Sequence, residues 1–369
     1  MFLEVHLIQS FAPSNLNRDD TNSPKDCEFG GVRRARISSQ CIKRALRLHP
    51  SFAEATKVTP GIRTRWMNRM LAESLVSAGK DLEQSKAVSE AFAAQYCKMD
   101  KEHTSVLLYL SKDEIDTTVA QLTDRWDEII SSLKDGKSPV IESIAKDLFK
   151  ALKGRTSAPD IAMFGRMMAE KPDLNIDAAC QVAHAISTHR VNMEMDFYTA
   201  ADDLATSDET GAGMMGTTGF NSACFYRYAR IDWQQLLANL GGDREIACQT
   251  VEGFLRAAVA AVPTGKQNSF AAQNPPSLLL AVARADSQGW SLANAFEKPV
   301  SPDREGGLIA PSVRALDAHW GKLVKVYGEN GMQAFLLALD GEDQLDSLRK
   351  YQVQTLEDWI HKTVQSLPC

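Results

Sequence analysis

A long charged helical block, 53–158, lies between one strand–helix unit and a run of later strands, and it constrains the fold more than any other feature of the sequence. Apolar spacing predicts helices over 63–77, 84–96, 111–133 and 141–152. A block of this kind has no strand to add to a neighbouring sheet, so it reads as an inserted helical subdomain. Before it, MFLEVHLIQSF alternates as a strand, with Phe2, Glu4, His6 and Ile8 on one side and Leu3, Val5, Leu7 and Gln9 on the other. Residues 13–31 are rich in Asn, Asp, Ser and Pro and read as loop. A helix follows from Ser38 or Ser39, either of which can cap it.

Beyond the block the character changes. DIAMFGRMMA (160–169) reads as a strand with a turn, and QVAHAISTHRV (181–191) as strand. Residues 196–219 are acidic, glycine-rich and poor in large apolar groups, which suggests a long hairpin or loop. FNSACFYRYARIDW (220–233) alternates as a strand, 244–262 is an amphipathic helix ended by Pro263, and SLLLAVARA (277–285) is a buried strand. A helix over 312–326, a strand over 333–339 and a helix over 355–367 complete the chain. The long-range order matches an α+β, ferredoxin-like β-α-β-β-α-β core with large insertions.

Several function classes drop out. The longest apolar runs are far too short to span a bilayer, and the N-terminus has neither a basic region nor a cleavage site. These features predict a cytoplasmic protein with no membrane partner. The seven cysteines form no CxxC, which predicts reduced, mostly buried thiols. His184 and His189, the nearest pair of histidines, stand five apart with no CxxC to accompany them, so no metal is expected. GAGMMG (211–216) satisfies G-x-G-x-x-G but has no strand before it or helix after it, so no dinucleotide cofactor is expected. PTGKQNS (263–269) lacks the upstream glycine and following Ser/Thr of a P-loop, which leaves Lys266 as a further phosphate contact or plain surface. Asp19–Asp20 and Asp202–Asp203 are paired acids in loops without a partner base, more in keeping with caps than with catalysis.

The formal net charge is −6, so any nucleic-acid binding must rest on local potential. FGGVRRARISSQCIKRALR (29–47) supplies it, with Arg33, Arg34, Arg36, Lys43, Arg44 and Arg47 and, beyond Glu28, no acid. At helical spacing Gln40, Lys43 and Arg47 share one face, and Ile42, Ala45 and Leu46 share an apolar one. A row of cations beside a helix N-terminus is what phosphates along an RNA strand need. The aromatic signature of a base-reading RNA-recognition motif is absent from the sequence, so the expected grip is on the backbone rather than on bases.

PSNLNRDDTNSPKDCEFGGVRRARISSQCIKRALR (13–47) resembles the N-terminal signature of the CasC family, the backbone subunits of type I-E CRISPR Cascade within the RAMP superfamily. DIAMFGRM (160–167), AHAISTHRV (183–191), DFYTAADDL (196–204), GFNSACFYRYARI (219–231), PTGKQNSFAAQNP (263–275) and SLANAFEKPV (291–300) are also similar and follow in the family's order. The resemblance implies a modified RRM-like palm (1–52, 159–190 and 221–369), helical fingers (53–158) and a β-hairpin thumb (191–220). It implies a non-catalytic subunit whose copies polymerise along a CRISPR RNA, kink the guide at regular intervals and present it to target DNA. Its further partners would be the large, small, Cas-five-type and Cas-six-type Cascade subunits and, indirectly, a recruited nuclease-helicase.

RNA contacts implied by the family, together with neighbouring cations, are Arg18, Lys25, Arg36, Ser38, Gln40, Lys43, Arg44, Arg47, Arg166, Met167, Thr199 and Lys266. Met167 would wedge against a base, and Thr199 would touch the kink. Lys134, Lys137, Lys146, Lys150 and Lys153 are candidate DNA contacts. The resemblance implies no cofactor and no catalytic residue. The rival reading is a metal-dependent RNA-cleaving relative that uses Asp26. A third is an assembly protein that needs no nucleic acid.

Overall fold

The structure, a computed structural model, describes residues 1–134, 136–200, 214–285, 288–304 and 306–369. It is a mixture of helices and antiparallel sheet, in two compact units. The first unit takes Met1–His49, Gln181–Ile231 and Phe254–Pro368. The second takes Pro50–Cys180, Asp232–Gly253 and Cys369. The second therefore holds residues well beyond the helical block at 53–158.

The first unit is built on a sheet of nine strands among the described residues. Its main path runs Met332–Ala338, Leu278–Arg284, Phe2–Ser14, Met214–Asp232, Ala185–Ser187, Val32–Ile37 and Asp26–Phe29. The stretch 13–31 is less irregular than its composition suggests. Asp26–Phe29 pairs antiparallel with Val32–Ile37, and Gly30 and Gly31 make the turn at positive φ. Polar composition hides this hairpin because it lies at the sheet edge.

Residues 3–9 of Phe2–Ser14 are all buried, because both faces of the strand are covered. On one face Ile8 joins Leu278, Leu280 and Leu336 beneath Val313, Leu316 and Trp320 of the helix Ile309–Tyr327. On the other, Val5 and Leu7 share a void of about 20 Å³ with Ile42, Leu46, Phe254 and Ala258. Glu4 and His6 are enclosed with the first set. Tyr228 Oη and Trp290 N donate to Glu4 Oε1 at 2.8 and 2.7 Å, and His6 Nδ1 lies 2.9 Å from Tyr226 Oη. Burial pushes the Glu4 carboxyl up and drops the His6 imidazole to about 3.

The second unit packs its helices around Leu71, Phe92, Leu122, Trp126, Ile141 and Leu148. Three sequence expectations change here. Helix 63–77 begins only at Met67, because Ile62–Thr64 pairs with Leu108–Leu110, a partner too distant in sequence for local periodicity to show. Helix 111–133 divides into Lys112–Asp124 and Trp126–Ser132, with Arg125 leaving helical dihedrals at φ −106°. DIAMFGRMMA opens as the helix Pro159–Phe164, not as a strand. All six of its residues are buried, so neither periodicity shows in the sequence. Pro159 suits the first turn, and Gly165 ends the helix at φ 78°.

The thiols are not all free. Cys248 and Cys369 form a disulfide, which corrects the expectation of reduced cysteines; 121 residues of separation gave no pairing signal. Cys97, Cys180 and Cys224 are free and buried, as expected, and Cys27 and Cys41 are free and half-buried. Among the described residues no helix is long and apolar enough to cross a membrane.

Candidate nucleic-acid interface

The helix Ser39–Leu48 starts where a serine can close it. Ser38 is extended and its hydroxyl accepts from Cys41 N at 3.4 Å. Ser38 N in turn donates to Asn17 Oδ1 at 2.8 Å, which pins the helix N-terminus to the preceding loop. A third segment reaches the same place. A cleft of about 370 Å³ is lined by Arg18 and Asn22 of the loop, Cys41 and Arg44 of the helix, and Thr264 and Gly265 of the turn after Pro263. At Gly265 a Cβ would stand 2.4 Å from Leu16 O, so only glycine lets the turn close on the loop.

The lining mixes apolar groups, Leu16, Ala45 and Pro263, with polar and charged ones. Arg18 is exposed and donates to Asn22 Oδ1 at 3.3 Å. Arg44 is exposed and has no carboxylate partner among the described residues. One acid lines the cleft, Asp19, and its charge is already engaged. The Thr21 hydroxyl and the Thr21 and Ser23 N–H groups donate to it, and they hold its carboxyl below the usual range. Beside the loop, Arg36 Nη1 lies 3.1 Å from His184 Nδ1. Burial, then Arg36 and Lys25, keep His184 below its ordinary pKa, so a neutral imidazole sits among cations.

The helical phase differs from the expectation. Ile42 and Leu46 face the core, as predicted, and Gln40 and Arg44 face solvent. Lys43 is half-buried, and Arg47 is 7% exposed, turned inward rather than toward a ligand. The exposed row is thus Gln40–Arg44, one step around the helix from Gln40, Lys43 and Arg47. Arg34 also leaves the cation row. It is buried and donates to Phe29 O and Ser187 O of two strands and to Phe296 O at the end of a 3-10 turn, a cation spent on tying these segments together. Arg33 pairs with Asp26 at 2.7 Å, and Asp26 O accepts from Arg36 Nε at 3.0 Å. Lys266 is half-buried in a left-handed conformation (φ 51°) next to the cleft-lining Gly265.

A hairpin leaves the same unit. Glu194–Ala200 pairs with the start of Met214–Asp232 from Glu194↔Phe220 to Ala200↔Met214. Its first strand is exposed along its whole length, and it bares Met195, Phe197, Tyr198, Met214 and Met215 to solvent. Thr199 lies opposite Met215 near the described end. Gly216 lies under the exposed Tyr198 ring, which would have to swing aside for a Cβ there. Asp202, Asp203 and Gly211–Gly213 of the GAGMMG motif lie outside the described residues; Met214–Gly216 is strand.

In the second unit the two motif residues at 166 and 167 point opposite ways. Arg166 is buried, with Nη1 2.6 Å from Glu114 Oε1 and Nε donating to Leu174 O at 3.0 Å. The same Glu114 closes a capping box with Ser111. The expected guide contact by the Arg166 side chain is therefore corrected to a buried brace. Met167 beside it is 83% exposed. Lys134 and Lys137 are exposed on a turn in which each N–H donates to the other's carbonyl. Lys146 and Lys150 are exposed on the helix Pro139–Leu152, and Lys153 makes an exposed ion pair with Asp173 at 3.2 Å.

The CT1975-like protein family model matches residues 3–365. The chain belongs to this family. Two solved structures are similar to this family member over its whole length. One, a chain of a CRISPR RNA-guided surveillance complex in a pre-nicking state, is 30% identical, with a TM-score of 0.87, and the match covers 99% of this chain and 100% of that one. The other, from a CRISPR RNA-guided surveillance complex, is 25% identical, with a TM-score of 0.78 and full coverage of both chains. No curated protein matches the sequence. What the sequence missed in this family member are the residues that assemble the cleft, Asn15, Asn17 and Gly265. Their only signal was an asparagine-rich loop and a Thr-Gly step.

Proposed function

We propose that the chain is a non-catalytic backbone subunit of a type I-E Cascade, of the CasC kind, whose copies assemble along a CRISPR RNA. The observation that carries the reading is the convergence of three separate segments, 16–22, 41–45 and 263–265, on one open cleft that holds Arg18 and Arg44, in the unit that also carries an exposed hairpin. Similarity over full length to chains of CRISPR RNA-guided surveillance complexes supports the same assignment. In this reading the sheet unit is an RRM-like palm, the second unit carries helical fingers and the hairpin is a thumb that kinks the guide. Arg18, Arg44, Gln40 and Lys43 hold backbone phosphates, Lys25, Arg36 and Lys266 add potential, and Ser38 presents the helix N-terminus. Met167 and Thr199 meet bases and the kink. The exposed lysines at 134, 137, 146, 150 and 153 are available to target DNA. Its partners are further copies, the large, small, Cas-five-type and Cas-six-type subunits, and indirectly a nuclease-helicase.

The pairing of Asp26 with Arg33 favours a structural aspartate over a metal-holding one. Purification from cells expressing the CRISPR locus tests the reading. The expected result is a complex carrying small RNAs of uniform length, which Asp26→Ala neither destabilises nor alters in cleavage. Isolation free of RNA, or target-RNA cleavage lost in Asp26→Ala, would overturn it.

A further inference from the structure

Asn15 is buried at the end of the first strand, and both protons of its amide are spent. Nδ2 donates to Asn22 O at 2.9 Å in the loop and to Gly219 O at 2.8 Å at the foot of the hairpin. Its Oδ1 has no donor among the described residues, so the work of this side chain is donation. Two residues on, Asn17 braces the same loop the other way. Its Oδ1 accepts from Ser38 N and its carbonyl from Lys25 N, both at 2.8 Å. The hairpin foot presses close here as well. A Cβ on Gly219 would stand 3.1 Å from Pro24 Cδ.

We infer that Asn15 is the positioning residue that fixes the hairpin to the cleft, and so sets how far from the held RNA backbone the hairpin acts. The inference rests on the RNA-holding reading above. Asn17 plays the complementary part, fixing the loop to the helix that carries Arg44, and so governs how tightly the backbone is held. Aspartate at position 15 keeps the shape but sets a carboxylate against two carbonyl oxygens, which removes both bonds. Alanine at 17 frees the helix N-terminus from the loop and leaves the hairpin foot attached.

The test is footprinting of RNA in the purified complex, read beside affinity for that RNA. Wild type is expected to leave nucleotides exposed at a regular interval. Asn15→Asp should bind within about twofold of wild type while the interval blurs or shifts. Asn17→Ala should weaken binding up to about tenfold, the worth of one buried hydrogen bond, with the interval kept. Gly219→Ala keeps the Asn15 side chain but crowds Pro24 and shifts the hairpin-foot carbonyl that Asn15 holds, and it should disturb the interval too, which decides the matter if Asn15→Asp does not fold. A wild-type footprint in both Asn15→Asp and Gly219→Ala overturns the inference, as does a loss of affinity with an unchanged interval. Failure of wild type to bind RNA overturns the functional reading itself, a distinct result.

Discussion

The loop and helix of 15–48 and the turn at Gly165–Met168 both set arginines beside open surface, and they use them in opposite ways. In the first region Arg34 is absorbed as a tie between strands, while Arg18 and Arg44 stay in solvent at the cleft. In the second, Arg166 is buried against Glu114 and the Leu174 carbonyl, and the exposed neighbour is an uncharged methionine. A buried cation is held because removing it strands its partner. An exposed one contributes little to folding and remains available to phosphate. Exposure, not charge, separates the two roles.

The sharpest way to break this contrast is to remove the buried partner. Arg166→Ala leaves Glu114 buried and unpaired, and should cost on the order of 3–5 kcal/mol in urea unfolding. An unchanged midpoint would mean the brace contributes nothing. Next comes the exposed pair. Arg18→Ala with Arg44→Ala should leave the melting temperature near wild type but weaken RNA binding by roughly 2–3 kcal/mol, with a salt slope shallower by about 1.4 for two lost phosphate contacts. A slope equal to wild type would move the RNA away from the cleft.

The third test concerns a buried group that carries no net charge. His6 is neutral in the fold with its pKa near 3, against 6.5 when unfolded. The unfolded chain binds the extra proton, so stability is present above pH 6.5 and is lost as pH falls toward 3. The loss should reach roughly 2 kcal/mol by pH 5. Glu4, raised by burial, has the opposite sign, so the measurement is the difference between wild-type and His6→Asn unfolding curves across that window. Coincident pH dependence would rule out a neutral buried His6. The smallest effect belongs to Met167→Ala, expected within about 0.5 kcal/mol of wild type in stability because the side chain touches solvent, while altering base stacking in the bound RNA.

Much of the architecture was legible locally. The first strand, the helix capped by Ser38, the alternating aromatic strand 220–232 and the C-terminal helices stand where periodicity put them, because each carries an apolar face and a stop signal. Illegible were elements buried on every side, such as Pro159–Phe164, and those made by distant partners, such as Ile62–Thr64. In the candidate site the basic stretch was plain, but its phase was misread by one step, because Lys43 and Arg44 differ by a rotation that only packing against the sheet decides.

The inventory was written in the residues alone: a cation-rich helix with a serine cap, a hairpin or loop over 196–219, an inserted helical block and a resemblance to a CRISPR-associated family. Packing chose which cations are free. Arg34, Arg47 and Arg166 went inside and Arg18 and Arg44 stayed out. A guanidinium's fate depends on which carbonyls and carboxylates the rest of the chain brings to it, and the deciding ones include residues tens to hundreds of positions away, Glu114 for Arg166 and Phe296 for Arg34.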